Sequence, residues 1–378
     1  MKNAGHFEKS FNEARRYLCR QKHRDGRYSL QHDSPPTLMS TCFGGLCQMV
    51  LDGRSDDETK DSVLSSCDPT GRFVDAELKL HEVNSSLHPY EYLADQSHYF
   101  AIRYLRVCGS VVDRVALPME MDLSNPIRWI ESLDWTDPWL ESNRIMFALE
   151  LLSKGHAAEH GKLISWLVNH WDPDTGFWGT DRGATLVRGM AGAFHFFGFI
   201  ADAGRALPPA DLVVQSTIAL QHSDGSFAPN GGGNTCLDMD AIDILCFFWP
   251  ALSESVRHRA RQALLKALEG NFGLQQSDGG FPESQSSESR RTQLELGAKD
   301  ISQVSQTWRG CQRIRYSSWS RMEYDATQSD LWSTMSRVVC LRRIQQVLDF
   351  DEFQKSGFSI AGGGIGQFIQ ANRTVASA

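Results

Sequence analysis

Gln221-His-Ser-Asp-Gly-Ser-Phe227 is followed one repeat later by Gln275-Gln-Ser-Asp-Gly-Gly-Phe281, and this doubled phrase decides the fold. Looser copies stand at Gln21-Lys-His-Arg-Asp-Gly-Arg-Tyr28, Cys67-Asp-Pro-Thr-Gly-Arg-Phe73 and His170-Trp-Asp-Pro-Asp-Thr-Gly-Phe177. A worn copy, Trp135-Thr-Asp-Pro-Trp139, completes a set of six. Recurrence at roughly 45–55 residues marks an array or a closed ring of like units. Within the phrase Gly supplies a positive-φ position and Asp caps the backbone beside it. The aromatic folds back as an apolar plug between neighbouring helices.

Outward from these turns run helices with few charges: Leu38–Leu51, Ser97–Val107, Glu141–Leu152, Ala184–Ile200, Asp238–Trp249 and Asp330–Ile344. More polar helices alternate with them, among them Phe7–Arg20, His156–His170, Asp211–Leu220 and Glu254–Leu268, with apolar residues recurring at three and four. A helix apolar all round must be enclosed, whereas a one-sided helix belongs on an outer wall. Strict alternation of the two kinds predicts an all-α fold, an α6/α6 toroid of six helical hairpins around a central cavity, in one domain spanning 1–378. No run alternates with period two for long enough to propose a sheet. The polar stretch 284–305 reads as an inserted loop, either disordered or a lid. Gly357–Gln367 reads as a last turn that closes the ring.

Hydrophobic residues are 41% and charged residues 22% of the chain, the balance of a globular protein with a sizeable core. No apolar run approaches the roughly 20 residues needed to cross a bilayer, and Met1–Arg20 carries no signal-peptide core. The nine scattered cysteines, without a C-x-x-C pair, predict reduced thiols in a cytoplasmic protein. A net charge of −8 with no basic stripe argues against nucleic acid as partner. Arg309–Arg315 and Arg337–Arg343 accordingly read as solvated faces.

The chemistry is sought where inner helices begin, because a toroid brings those ends to one cavity mouth. Pro229-Asn-Gly-Gly-Gly-Asn-Thr-Cys-Leu-Asp-Met-Asp-Ala-Ile-Asp243 places three acids just past three glycines. On a helix Cys236, Asp240 and Asp243 share a face and Asp238 points elsewhere. In an apolar ring, desolvation and mutual repulsion raise a carboxyl pKa, which suits Asp240 or Asp243 to act as a general acid. Thr235 and Asp238 also form a capping-box-like pair, so Asp238 has a structural reading as well. His195 is read as a core histidine or a cavity residue. His98 and Asp95 could face the cavity, although Asp95 could equally cap. Asp330 and Trp332 open an inner helix, where Asp330 could cap. Arg188, if buried, needs an anion, either Asp240 or a substrate. Aromatic side chains could line a cation-stabilising cavity.

At these residues the chain resembles the terpene-cyclase and prenyltransferase superfamily of α/α-toroids. Gln221-x-x-x-Gly225-x-Phe227 and its echo look like the glutamine–tryptophan repeats of triterpene cyclases, with Phe in the tryptophan place. Asp238-Met-Asp240-Ala241 looks like the D-x-D-D motif of class II cyclases, with the last aspartate replaced by Ala241. The resemblance implies that Asp240 protonates an alkene or epoxide of an isoprenoid substrate, with Asp238 and Asp243 as catalytic neighbours. Arg188, His195, Asp330, Trp332 and His98, on or at the start of inner helices, are the substrate-binding candidates. Class II cyclases generally place the site between two helical domains, so the resemblance leaves the toroid's own cavity, a partner helical domain or a homodimer to complete it. No cofactor is implied, except Mg2+ should the substrate be a diphosphate. Compared with the β subunit of protein prenyltransferases, Asn234-Thr-Cys236 replaces an Asp-x-Cys pair and Ser333 stands where a histidine would fall. A zinc site is therefore disfavoured, with Cys236 the remaining weak metal candidate. A toroid enzyme acting on a carbohydrate or small metabolite, and a non-catalytic binding or scaffold toroid, are the other readings.

Overall fold

The computed structural model describes residues 4–79, 88–110, 112, 115–153, 155–229, 231–284 and 313–348. Six helices with buried residues on all sides form an inner ring. They are α2 (Leu38–Asp52), α4 (Tyr90–Val107), α6 (Pro138–Leu152), α8 (Leu186–Asp202), α10 (Thr235–Phe247) and α12 (Leu331–Val347). Each packs on the next, and α12 packs back on α2. The outer helices are α1 (Ala4–Gln21), α3 (Asp57–Leu64), α5 (Pro126–Ser132), α7 (Ala157–Asn169), α9 (Ala210–Ile218) and α11 (Glu254–Leu274). The fold is an α/α-toroid.

The repeated phrase holds the rings together. Gly225 and Gly279 have φ of +92° and +89°, and a Cβ on either would lie 2.3 Å from a backbone carbonyl oxygen of the following outer helix, Lys266 in α11 or Glu13 in α1. Gln221 Nε2 donates to Gly225 O at 3.0 Å and to Ala263 O at 2.8 Å. Gln275 Nε2 repeats this with Gly279 O at 2.8 Å and Ser10 O at 3.0 Å. Each glutamine thus ties its own turn to the next outer helix, and Gln275 ties the turn after α11 to α1. Tyr28, Phe73, Phe177, Phe227 and Phe281 are the buried plugs. Inner helices start on capping side chains, Thr37 for α2, Thr185 for α8, Asn234 for α10 and Asp330 for α12.

One element departs from the all-helical expectation. Arg313–Arg315 (β1) pairs antiparallel with Glu323–Asp325 (β2). Strands of three residues are too short to show alternation in sequence. The hairpin sits over the rim where the inner helices begin. Gln31 of the α1–α2 connection bonds the backbone of Asp325 in both directions, His88 before α4 bonds Ser318, and Tyr324 OH donates to Glu283 Oε2 at 2.7 Å. The predicted loop at 284–305, Ser284 apart, and the predicted closing turn at 357–367 lie outside the described residues.

Candidate active site

The start of α10 positions three acids. Asn234 is the cap and accepts from Leu237 N at 2.7 Å, so the cap lies one residue before the Thr235 expected from sequence. Asp238 bonds back to Asn234 N at 3.1 Å and to Phe227 N at 2.7 Å, and Arg337 Nη2 donates to it at 3.1 Å. Burial raises the Asp238 carboxyl, and Arg337 with the two amides pulls it back down. The glycine run lies against this ion pair: a Cβ on Gly233 would lie 3.1 Å from Arg337 Nη2. Arg337 also holds Asn271 of α11 at 2.9 Å. Asp238 is thus tied to two backbone amides and to Arg337, the surroundings of an anchoring carboxylate.

Asp240 has the opposite surroundings. It is 1% exposed, and no hydrogen-bond partner reaches its Oδ2 among the described residues. Burial first, then Asp243, then Asp238 push its carboxyl well above the ordinary range. Its face of the helix also carries Cys236 and Phe247. These are the two residues of α10 that are only partly buried. Asp243 accepts from Arg343 Nε at 2.7 Å. Arg337 and Arg343 are 1% and 4% exposed, which corrects the solvated-face reading of that stretch. Helix α12 is an inner helix, and its Arg337 and Arg343 pair with acids of α10 that only the fold brings near.

Across from this face stands an aromatic shell. Trp332 of α12 lies 5.0 Å from Phe43, 5.5 Å from Tyr316 and 6.2 Å from Phe100, ring centre to ring centre. Phe147 continues it, 5.2 Å from Tyr99 and 5.4 Å from Tyr92. Burial raises the Tyr92 and Tyr316 phenols, and Cys236 adds to both, which sets them toward the Cys236–Asp240 face. Near Tyr92, Arg144 pairs with Glu120 at 3.3 Å and Glu141 at 3.5 Å. Burial lifts Glu120 to about 7 against the pull of Arg144.

The remaining sequence candidates are spread over the ring. His195 is buried, bonds Ser142 Oγ at 2.7 Å through Nδ1, and is pushed down to about 3 by desolvation. His98 accepts from Phe73 N at 3.2 Å and bonds Ala116 O at 3.1 Å. Both ring nitrogens serve backbone, so His98 holds loops and does not present a free nitrogen to a cavity. Asp95 does not cap; it receives Arg72 and the amides of Met119 and Glu120. Arg188 meets Asp137 at 3.7 Å, and that neighbour replaces the expected Asp240. Asp330 caps α12 by accepting from Ser333 N at 2.8 Å. Among the described residues no group of three His, Cys, Asp or Glu is placed to hold a metal.

Sequence reasoning missed Arg337, Arg343, Tyr316 and Tyr92. Two arginines on an otherwise enclosed helix were a usable signal, since buried charge needs a partner. Tyr316 lies on the hairpin and carried none.

No protein-family model matches the sequence, and no curated protein matches it. Solved structures do. The type II terpene cyclase MstE from Scytonema, without ligand, superposes with a TM-score of 0.54 at 12% identity, over 91% of this chain and 98% of that one. Its complex with geranylgeranyl dihydroxybenzoate as substrate gives 0.54 and 12%, over 90% and 98%. An α-1,6-mannanase from Salegentibacter sp. HEL1_6 aligns at 0.47 and 12%, over 90% and 99%. The MstE likeness shows the toroid fold. No helix among the described residues is long and apolar enough to cross a membrane.

Proposed function

We propose that the protein is an acid-initiated isoprenoid cyclase of the class II type, working in its own toroid cavity. The observation that carries this reading is Asp240, a fully buried carboxyl with an unpartnered Oδ2 on the inward face of α10. A carboxyl so desolvated holds its proton more tightly than an ordinary aspartate and can deliver it in a dry site. Its proton passes to the terminal alkene or epoxide of a linear isoprenoid: an alkene gives its π pair to the new C–H bond, whereas an epoxide oxygen takes the proton on a lone pair and keeps the electrons of the C–O bond that opens. Carbon–carbon bonds close in sequence behind the cation. The final cation loses a proton from a neighbouring carbon, and the product is an isomer of the substrate. The faces of Trp332, Phe43, Phe100 and Tyr316 suit the migrating positive charge, since aromatic quadrupoles attract cations. Asp240 supplies the proton without a metal.

The likeness to MstE makes a prenylated dihydroxybenzoate a sensible first substrate, beside linear isoprenoids and their diphosphates, the latter with and without Mg2+. The test is incubation of wild type and Asp240→Asn with this panel, with products read by mass spectrometry. A cyclised isomer from wild type that is absent from the variant supports the reading. No product from either folded protein removes it.

A further inference from the structure

We propose that the wall formed by α4 and α6 holds a second subsite, where Arg144 and Glu120 take the neutral, hydroxyl-bearing end of an isoprenoid (an alcohol or a phenol) and turn away a diphosphate. The inference rests on the reading of the cavity as an isoprenoid site. Its test is binding and does not depend on turnover.

The subsite grows from the first turns of two inner helices. On α6, Arg144 precedes Phe147 by three positions, so the two share a face. The Arg144 guanidinium carbon lies 5.8 Å from the centre of the Tyr92 ring, and Phe147 meets the same ring at 5.4 Å. Arg144 therefore stands at the rim end of the aromatic shell. Glu120 reaches it from the connection between α4 and α5, which Asp95 ties down by accepting from Met119 N at 2.7 Å and Glu120 N at 3.3 Å. His88, 4.8 Å from Tyr92, continues this wall to the hairpin through Ser318.

The ion pairs here are loose. Arg72 meets Asp95 at 2.7 Å and Arg103 meets Glu150 at 2.8 Å, the length of charge-assisted hydrogen bonds. Arg144 stays 3.3 Å from Glu120 and 3.5 Å from Glu141. One guanidinium is shared between two carboxylates, and Glu120 Oε2 is buried with no hydrogen-bond partner among the described residues. A buried acceptor without a donor is costly to leave unmet. A hydroxyl group meets it, donating to Glu120 and accepting from Arg144. With burial lifting Glu120 to about 7, the carboxyl can also donate to such a group near neutral pH. The faces of Trp332, Phe43, Phe100 and Phe147 offer no such bonds, so the polar end of a linear isoprenoid is best met at this wall.

Charge selects the class of ligand. Asp95, Glu141 and Glu91 all act on Glu120, against Arg144 and the Arg72 that pairs with Asp95. Four carboxyl groups face two guanidiniums. A diphosphate adds negative charge to that excess in a poorly solvated place, where like charges repel strongly. A neutral hydroxyl adds none.

The experiment measures binding to the full chain carrying Asp240→Asn, so that ligands are not converted, by quenching of tryptophan fluorescence. The probes are farnesol, geranylgeraniol, a geranylgeranyl dihydroxybenzene, and farnesyl and geranylgeranyl diphosphate with and without Mg2+. An alcohol or the phenol is expected to bind at least about tenfold tighter than the diphosphate of the same chain, and the tighter of the two names its source. Glu120→Gln, close in shape to the native residue, is expected to cut that preference by about tenfold, with the fold intact by circular dichroism. A merely structural pair would change stability and leave the preference alone. A diphosphate that binds as tightly as the alcohol and the phenol, with or without Mg2+, overturns the proposal without need of any wall variant. An unchanged preference in folded Glu120→Gln overturns it too. If the preference holds and wild type cyclises nothing, the subsite stands and the cyclase reading fails. If wild type cyclises a diphosphate as readily as the alcohol, the cyclase reading stands and the subsite fails. Binding of none of the probes removes both.

Discussion

Asp238 and Asp240 lie two positions apart on one helix, about 200° apart around it, and their surroundings are opposite. Asp238 looks outward, where Phe227, Asn234 and Arg337 all donate to it. Asp240 looks inward, where its Oδ2 has no donor among the described residues. Both are buried aspartates at the start of an inner helix, so neither residue type nor depth separates them. What separates them is whether the fold satisfies the carboxylate. A satisfied acid is held by its donors and ties structure together. An unsatisfied acid keeps a proton, and the cost of leaving it so is tolerable where the proton is to be used.

The contrast can be broken most sharply through activity. Asp240→Asn should lower cyclised product at least about a hundredfold, in the range for loss of a general acid, with the fold intact by circular dichroism. Asp238→Ala should act on stability, with a loss of about 3–5 kcal/mol in denaturant unfolding, because Arg337 is left as a buried unpaired charge. If Asp238→Ala unfolds no more easily than Asp240→Asn, the division of roles between the two faces fails.

A smaller effect separates the two acids through pH. The folded-state pKa of Asp240 is raised, so its favourable protonated form contributes fully below the unfolded value and is lost as pH rises toward the folded one. Asp240→Asn cannot ionise and escapes that loss. The stability of the variant relative to wild type should therefore grow as pH increases from about 4, by about 1.4 kcal/mol for each pH unit climbed between the unfolded and folded pKa values. A constant difference between about pH 4 and 9 would contradict a raised Asp240. The smallest change is expected at Cys236, on the inward face beside Asp240. Cys236→Ala should alter stability by less than about 1 kcal/mol, since no large buried volume is removed.

Much of the ring could be read in advance. The six turn phrases gave the order of inner and outer helices, because Gly225 and Gly279 are needed for positive φ and for close approach to a neighbouring helix. Gln221 and Gln275 stood out as repeated, yet their bridging role appeared only with Ala263 and Ser10 in place. The short hairpin was hidden, since three-residue strands carry no period. At the site, the shared face of Cys236, Asp240 and Asp243 followed from helical spacing alone. The cap did not: Asn234 and Thr235 are both good caps, and the backbone turn after three glycines selects Asn234.

The sequence by itself determined the repeat, the helices and the presence of three acids on one inner helix. Those are local facts, set by periodicity, turn chemistry and capping between residues near in the chain. Only the tertiary structure decided which acid is satisfied. Arg337 and Arg343 lie far from Asp238 and Asp243 in sequence, and nothing in either segment names the other as partner. Ring closure sets α12 against α10 in parallel register, pairs Arg337 with Asp238 and Arg343 with Asp243, and brings no donor to Asp240 Oδ2 among the described residues. The raised carboxyl of Asp240 comes first from burial and then from the nearby Asp243 and Asp238, because charge energies depend on solvent exposure and distance in space and not on separation along the chain.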